Sequence, residues 1–205
     1  PLKEIKMRLR HTVVTLLSVL LVTSCANLSS PSAGFATLFD AGSNLLGWTK
    51  FGDSNWRIQD GAIQADFLPG KIAGHLISKK TYTDFQIYAE FWVDSETNSG
   101  IFIRCENPEK IGADTCYEVN IWDTRPDPSY GTGAIVDTVK VTPPYPKVGG
   151  KWSVMEIAAK GPQMVVKIDG VVTASGSDSK HSKGNITLQH GGGTVKFRKI
   201  LIKEL

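Results

Sequence analysis

Several stretches of the chain alternate polar or aromatic side chains with apolar ones in a way that could recognise a sugar. Glu118, Asn120 and Trp122 alternate with Tyr117, Val119 and Ile121. Glu90 and Trp92 interleave with Ala89, Phe91 and Val93, Phe102 and Arg104 with Ile101 and Ile103, and Thr187 and Gln189 flank Leu188. Carboxylate, amide and guanidinium groups match the donors and acceptors of sugar hydroxyls, and an indole ring offers a flat surface to pyranose C–H groups. Any one of these residues reads equally well as part of a solvated sheet face with cross-strand ion pairs. Glu, Asn, Trp, Arg and Gln together on neighbouring strands point to a binding face. Conventional glycoside hydrolysis needs two carboxylates ~5–9.5 Å apart across the substrate. Alternating acids on one strand are absent here, because Asn120 and Trp122 follow Glu118.

The elements that would position these groups are strands. From Phe35 onward the apolar period is two, not 3.6. In the longest run, Asp84 to Val93, Phe85, Ile87, Ala89, Phe91 and Val93 share one face, and Gln86, Tyr88, Glu90 and Trp92 the other. Further strands are expected at 56–59, 62–65, 74–78, 101–105, 117–122, 152–158, 164–168, 185–189 and 195–202. Turn signals separate them, including Asp60-Gly61, Pro69-Gly70, Asp169-Gly170 and Gly191 to Gly193. Asp-Gly between two apolar runs is a strong hairpin signal, because both central residues of a type I′ turn need positive φ. No long helical pattern and no internal repeat is visible. The spacing predicts an all-β fold, a two-sheet antiparallel sandwich or jelly roll.

Ahead of the sandwich, Met7 to Ser24 reads as an export signal: Arg8, Arg10 and His11 precede an uncharged apolar run, Thr12 to Val22, which is too short to span a bilayer. Val22-Thr23-Ser24-Cys25 resembles the bacterial lipobox, which implies cleavage before Cys25 and lipid on that cysteine; several acyl chains at ~0.8 kcal/mol per buried methylene anchor firmly. The expected organisation is 1–24 as upstream extension and lipoprotein signal, 25–34 as lipidated Cys25 and a Ser/Pro/Gly-rich tether, and 35–205 as the sandwich. The expected location is the cell envelope, in the periplasm, at the outer membrane or at the cell surface, with the membrane contacted through the lipid alone. Such compartments permit disulfides. Cys105 ends one strand and Cys116 begins the next, so a bridge between them is expected, worth ~2–3 kcal/mol for so short a loop. The formal charge of +3 includes four basic residues of the leader region (Lys3, Lys6, Arg8, Arg10), and no basic stripe interleaved with aromatics is present, which argues against nucleic acid as a partner.

The motifs of the domain, taken in order, resemble one family. Phe39-Asp40 followed by Gly47-Trp48, W-R-I-Q-D-G over 56–61, Y-T-D-F over 82–85, N-S-G-I-F-I-R over 98–104, Y-E-V-N-I-W-D over 117–123, T-G-A-I over 132–135, and L-Q-H-G over 188–191 with F-R-K-I over 197–200 are similar to the 3-keto-disaccharide hydrolase domain. Asn120 stands where Gln is common in that pattern, and Lys199 where Asn is common. The resemblance implies a concanavalin A-like sandwich whose concave sheet carries the polar residues. It further implies substrates that are glycosides oxidised at C3. A ketone there acidifies the C2 hydrogen; loss of that proton gives an enolate, and the glycosidic oxygen then leaves C1. Such a site needs a base, a cation or donor for the enolate oxygen, and help for the leaving oxygen. On this reading Glu118 is the candidate base and His190 the second candidate, Arg104 is the enolate clamp oriented by Asn98, and Gln189, Trp122, Asn120 and Glu90 hold the sugar. Asp123 either joins them or braces the loop that follows. The chemistry leaves room for a divalent metal without requiring one. The competing reading is a non-catalytic carbohydrate-binding lipoprotein on the same sandwich.

Overall fold

The computed structural model describes residues 33–70 and 72–205; the expected export signal and Cys25 lie outside them. The described residues form thirteen strands: β1 (Ala36–Phe39), β2 (Trp48–Phe51), β3 (Arg57–Gln59), β4 (Ala62–Ala65), β5 (Gly74–Tyr82), β6 (Phe85–Val93), β7 (Asn98–Cys105), β8 (Tyr117–Ile121), β9 (Trp152–Lys160), β10 (Gln163–Ile168), β11 (Val171–Ser177), β12 (Gly184–Gly192) and β13 (Val195–Glu204). They make two sheets. One has the order β11-β10-β9-β6-β13-β4-β3, with β1 also on β13; the other, five-stranded, has the order β2-β5-β12-β7-β8. All strand pairs are antiparallel. The expected two-sheet sandwich is what the chain adopts.

Alternation builds the core. Phe85, Ile87, Ala89, Phe91 and Val93 of β6 point inward, as the period-two pattern requires, and meet Leu76, Ile101, Ile103, Val119, Ile121, Ile186 and Leu188 from the other sheet. Both Asp-Gly hairpins form as expected, Asp60 and Gly61 with φ of 51° and 73°, Asp169 and Gly170 with φ of 49° and 82°. β1, β2 and β11 carry weak apolar alternation and were not anticipated.

The Cys105–Cys116 bridge forms, with the two Cα atoms 4.3 Å apart. Both cysteines pack with Phe102 and with Ile111 of the intervening loop, apart from the main core. Phe102 points to the outer face of the five-stranded sheet, so the bridge folds the β7–β8 loop against that face.

Candidate functional site

Strand register places the polar residues of the five-stranded sheet in two rows on its outer face. Phe51, His75, Gln189, Gly100 and Asn120 are successive cross-strand partners from β2 to β8. Thr49, Ile77, Thr187, Phe102 and Glu118 form the next row. Asn98 continues beyond Gly100 on the same strand, its amide packed so closely on Gly191 that a Cβ there would lie 2.8 Å from Nδ2. Trp122 follows Asn120 at the end of β8.

These rows are not a solvated sheet face. His75, Gln189, Asn120, Thr187 and Phe102 are all buried, although they point away from the core. The β7–β8 loop covers Phe102, and a segment beyond β8 lengthens the sheet: Asn120 N–H donates to the Ala134 carbonyl at 3.0 Å, and Val136 N–H to the Glu118 carbonyl at 2.9 Å. The covering segments leave a polar layer recessed beneath them, its His75, Thr187, Asn120 and Gln189 at most 9% exposed. At its β2 side a groove of about 390 Å³ opens between Thr49, Phe51 and Ile77 on the sheet and Pro108 and Glu109 on the loop.

Two acceptors in the recess have no hydrogen-bond partner among the described residues, Gln189 Oε1 and Asn120 Oδ1. Asn120 spends its Nδ2 on the Tyr130 carbonyl at 2.7 Å. Gln189 Oε1 reaches over Gly100, 3.6 Å from where a Cβ would stand. A buried carbonyl left unpaired costs ~1–3 kcal/mol, so donors such as hydroxyl groups are the natural complement.

Glu118 sits beside them. Burial pushes its carboxyl up to about 7; Arg125 opposes that shift and Asp137 adds to it. The same Arg125 lies 5.5 Å from the Trp122 ring centroid. Asp137 has a left-handed backbone, φ 57°, at the tip of the hairpin closed by Ile135 and Val139. His75, at the other end of the floor, is lowered by burial to about 4 and holds Thr187 Oγ1 at 3.0 Å through Nδ1. A neutral imidazole thus faces the recess at neutral pH. His75, Arg125 and Asp137 escaped the sequence reading. Only register could have brought His75 forward, because it lies directly across from Gln189.

Glu118, Asn98, Asn120 and Gln189 therefore lie on one face, as expected; Trp122 follows the last residue of β8, with its ring beside Arg125. Three other candidates do not lie on that face. Arg104 was expected there because Ile101 and Ile103 face the core. Instead β7 carries an extra residue opposite β12, and Arg104 adopts φ 52° in that bulge, which re-aims its side chain. Its guanidinium is buried and donates to the carbonyls of Thr83, Gly161 and His181 at 2.9, 2.7 and 3.3 Å, and to Asp84 at 3.0 Å. It clamps the β5–β6 and β9–β10 turns. His190 points inward with Leu188. Its Nε2 donates to the Gly193 carbonyl at 2.9 Å, and Nδ1 meets Ser54 Oγ at 2.9 Å, so both nitrogens hold structure. Glu90 belongs to the other sheet and faces away from the recess, paired with Arg198. Asp123 is the loop brace: its carboxylate accepts from Thr132 Oγ1 and from the amides of Val148 and Gly149.

Among the described residues, no group of three or more His, Cys, Asp or Glu side chains is arranged to hold a metal ion.

The profile of the 3-keto-alpha-glucoside-1,2-lyase-like domain matches residues 34–203. The chain belongs to this family. The lyase-like domain spans the whole sandwich, and its fold recurs in solved structures. Two proteins of Parabacteroides distasonis ATCC 8503, provisionally designated glycosyl hydrolases, align with TM-scores of 0.68 and 0.72 at 23% and 18% identity, covering 83% and 84% of this chain and 99% and 94% of theirs. A carbohydrate binding module from Bacillus subtilis aligns with a TM-score of 0.62 at 16% identity, over 77% of this chain and 96% of its own. No curated protein matches the sequence. These structural likenesses concern the fold. The family membership adds a glycoside hydrolase-like or carbohydrate-binding role.

Proposed function

We propose that this lyase-like domain cleaves 3-keto glycosides by elimination, with Glu118 as the proton carrier. The observation that supports this reading most is a carboxyl group whose pKa burial raises to about 7, on a recessed face where two side-chain carbonyls lack donors. A group with pKa near the working pH is the most effective proton carrier.

In the reaction the Glu118 carboxylate takes the C2 proton, and the C–H electrons move into an enolate on the C3 oxygen. Arg125, the nearby cation, stabilises that charge in place of Arg104. The enolate electrons return to form C1=C2 as the C1–O bond breaks. The departing alkoxide receives a proton from the Glu118 acid and leaves as an alcohol. The sugar product is an unsaturated 3-keto species; water adding across its double bond gives the free 3-keto sugar. Gln189 and Asn120 accept from hydroxyls that stay on the ring, and the groove beside Phe51 and Ile77 gives the leaving group room. We further propose that lipid on Cys25 holds the domain in the cell envelope.

The test is incubation with 3-keto and ordinary disaccharides in D2O. Released monosaccharide and deuterium at C2 are expected with the keto substrate alone, and both disappear in Glu118→Gln. Sugar binding without release or exchange would instead support a binding module, a reading that the two unpaired acceptors serve equally well.

A further inference from the structure

The second sheet also carries a built surface on its outer face. Arg57, Gln64, Lys196, Trp92 and Trp152 are successive cross-strand partners from β3 to β9. At ~4.8 Å per strand this row extends roughly 19 Å, longer than one pyranose ring. The two tryptophans stand side by side, and Trp152 is 38% exposed. Lys196 Nζ lies 4.9 Å from the centroid of Trp92, and Arg198 Cζ 4.3 Å from that of Trp152. Each cation props one ring face and leaves the indoles fixed on a rigid strand pair before any ligand arrives. Arg198 also donates to Glu90 at 2.5 Å. Glu90 and Arg198 continue into a groove of about 490 Å³ bounded by the turns at Asp40 and Asp60.

We infer that this face is a second carbohydrate site, which holds a pyranose chain against Trp92 and Trp152. Adjacent aromatics that reach a water-exposed surface form a contiguous apolar patch of the kind that marks contact sites. Here they stand beside a guanidinium and carboxylates, the groups that share hydroxyl hydrogen bonds, while the indoles meet the C–H faces of the sugar. The two sheets turn their outer faces in opposite directions, so a chain held here does not occupy the Glu118 recess. The site would tether a polymer while the other face handles a small glycoside, and it stands independently of the elimination chemistry.

Affinity electrophoresis of the full-length chain tests it, in native gels containing hydroxyethyl cellulose, a neutral polysaccharide, or polygalacturonate, an acidic one. Retardation is expected in at least one gel, and which one tells whether the cations read charge. Trp152→Ala and Arg198→Ala should weaken retention at least ~10-fold. Trp152→Phe, which keeps an aromatic face, should restore it, and Gln189→Ala should migrate as the wild type does. Turnover of a small 3-keto glycoside should be unchanged in Trp152→Ala. Free migration of the wild type in both gels overturns the site, and so does any pattern in which Gln189→Ala loses retention or Trp152→Ala keeps it.

Discussion

Gln189 and Asn120 are both register partners of Gly100, one on each neighbouring strand, and among the described residues neither side-chain carbonyl has a hydrogen-bond partner. Gly100 is what leaves room between them. A Cβ at this position would lie 3.0 Å from the Val119 carbonyl and 3.6 Å from Gln189 Oε1. Gly100→Ala should therefore fill the floor of the recess and weaken sugar binding at least ~10-fold, with a stability loss of ~1–3 kcal/mol from the crowding. Calorimetric titration alongside a melting curve checks both. Undiminished affinity would remove the two carbonyls from the binding account.

Glu118 predicts a pH-dependent stability. Its folded pKa of about 7 stands above the ordinary value of 4.5. The folded state then holds a proton that the unfolded chain releases, so this contribution is complete below 4.5 and lost as pH rises through about 7. The gap corresponds to ~3 kcal/mol as an order of magnitude. Glu118→Gln escapes that loss. Compared with the wild type, the variant should gain stability by up to ~3 kcal/mol between pH 4 and pH 8.5 in urea titrations. His75 contributes with the opposite sign, its stabilisation falling as pH drops from 6.5 towards 4, and it does so in both proteins, so it cancels in the comparison. A pH-independent difference would mean that Glu118 is not held near neutrality.

Arg104 should behave as a structural residue. Its guanidinium is buried and joins two turns and the Asp84 carboxylate. Arg104→Ala strips four acceptors at once and should cost ~3–5 kcal/mol in a denaturant melt. If the variant kept its stability and lost only turnover, Arg104 would return to the site.

Cys25→Ser should move the protein from the membrane fraction to the soluble fraction of the cells that make it. Equal membrane retention of the two forms would sink the lipid anchor.

Much of this fold was written in short-range pattern. Period two in Phe85 to Val93 selects the buried face without reference to any partner, because alternate strand side chains point to opposite sides. Asp60-Gly61 and Asp169-Gly170 supply positive φ where the hairpins turn, and Cys105 and Cys116 stand at the ends of adjacent strands. The order of motifs along the chain marked the family and brought in Asn98, while Glu118, Asn120, Gln189 and Trp122 followed from alternation. Alternation could not decide which sheet a strand joins or where a strand breaks its own period. Glu90 carries the same pattern as Glu118, but β6 pairs with β9 and β13, so its outer face looks away from the recess. Arg104 left the face because one extra residue in β7 sets it in a left-handed bulge, and a bulge arises from pairing with β12, not from the arginine itself. His75 entered the site because register placed it opposite Gln189, 114 positions along the chain in a sequence that gives the histidine no local context. The near-neutral carboxyl of Glu118 was settled last, by the loops that bury it. Local sequence determined which side chains share a strand face; long-range pairing alone determined which faces meet, and with them the chemistry that the recess can carry.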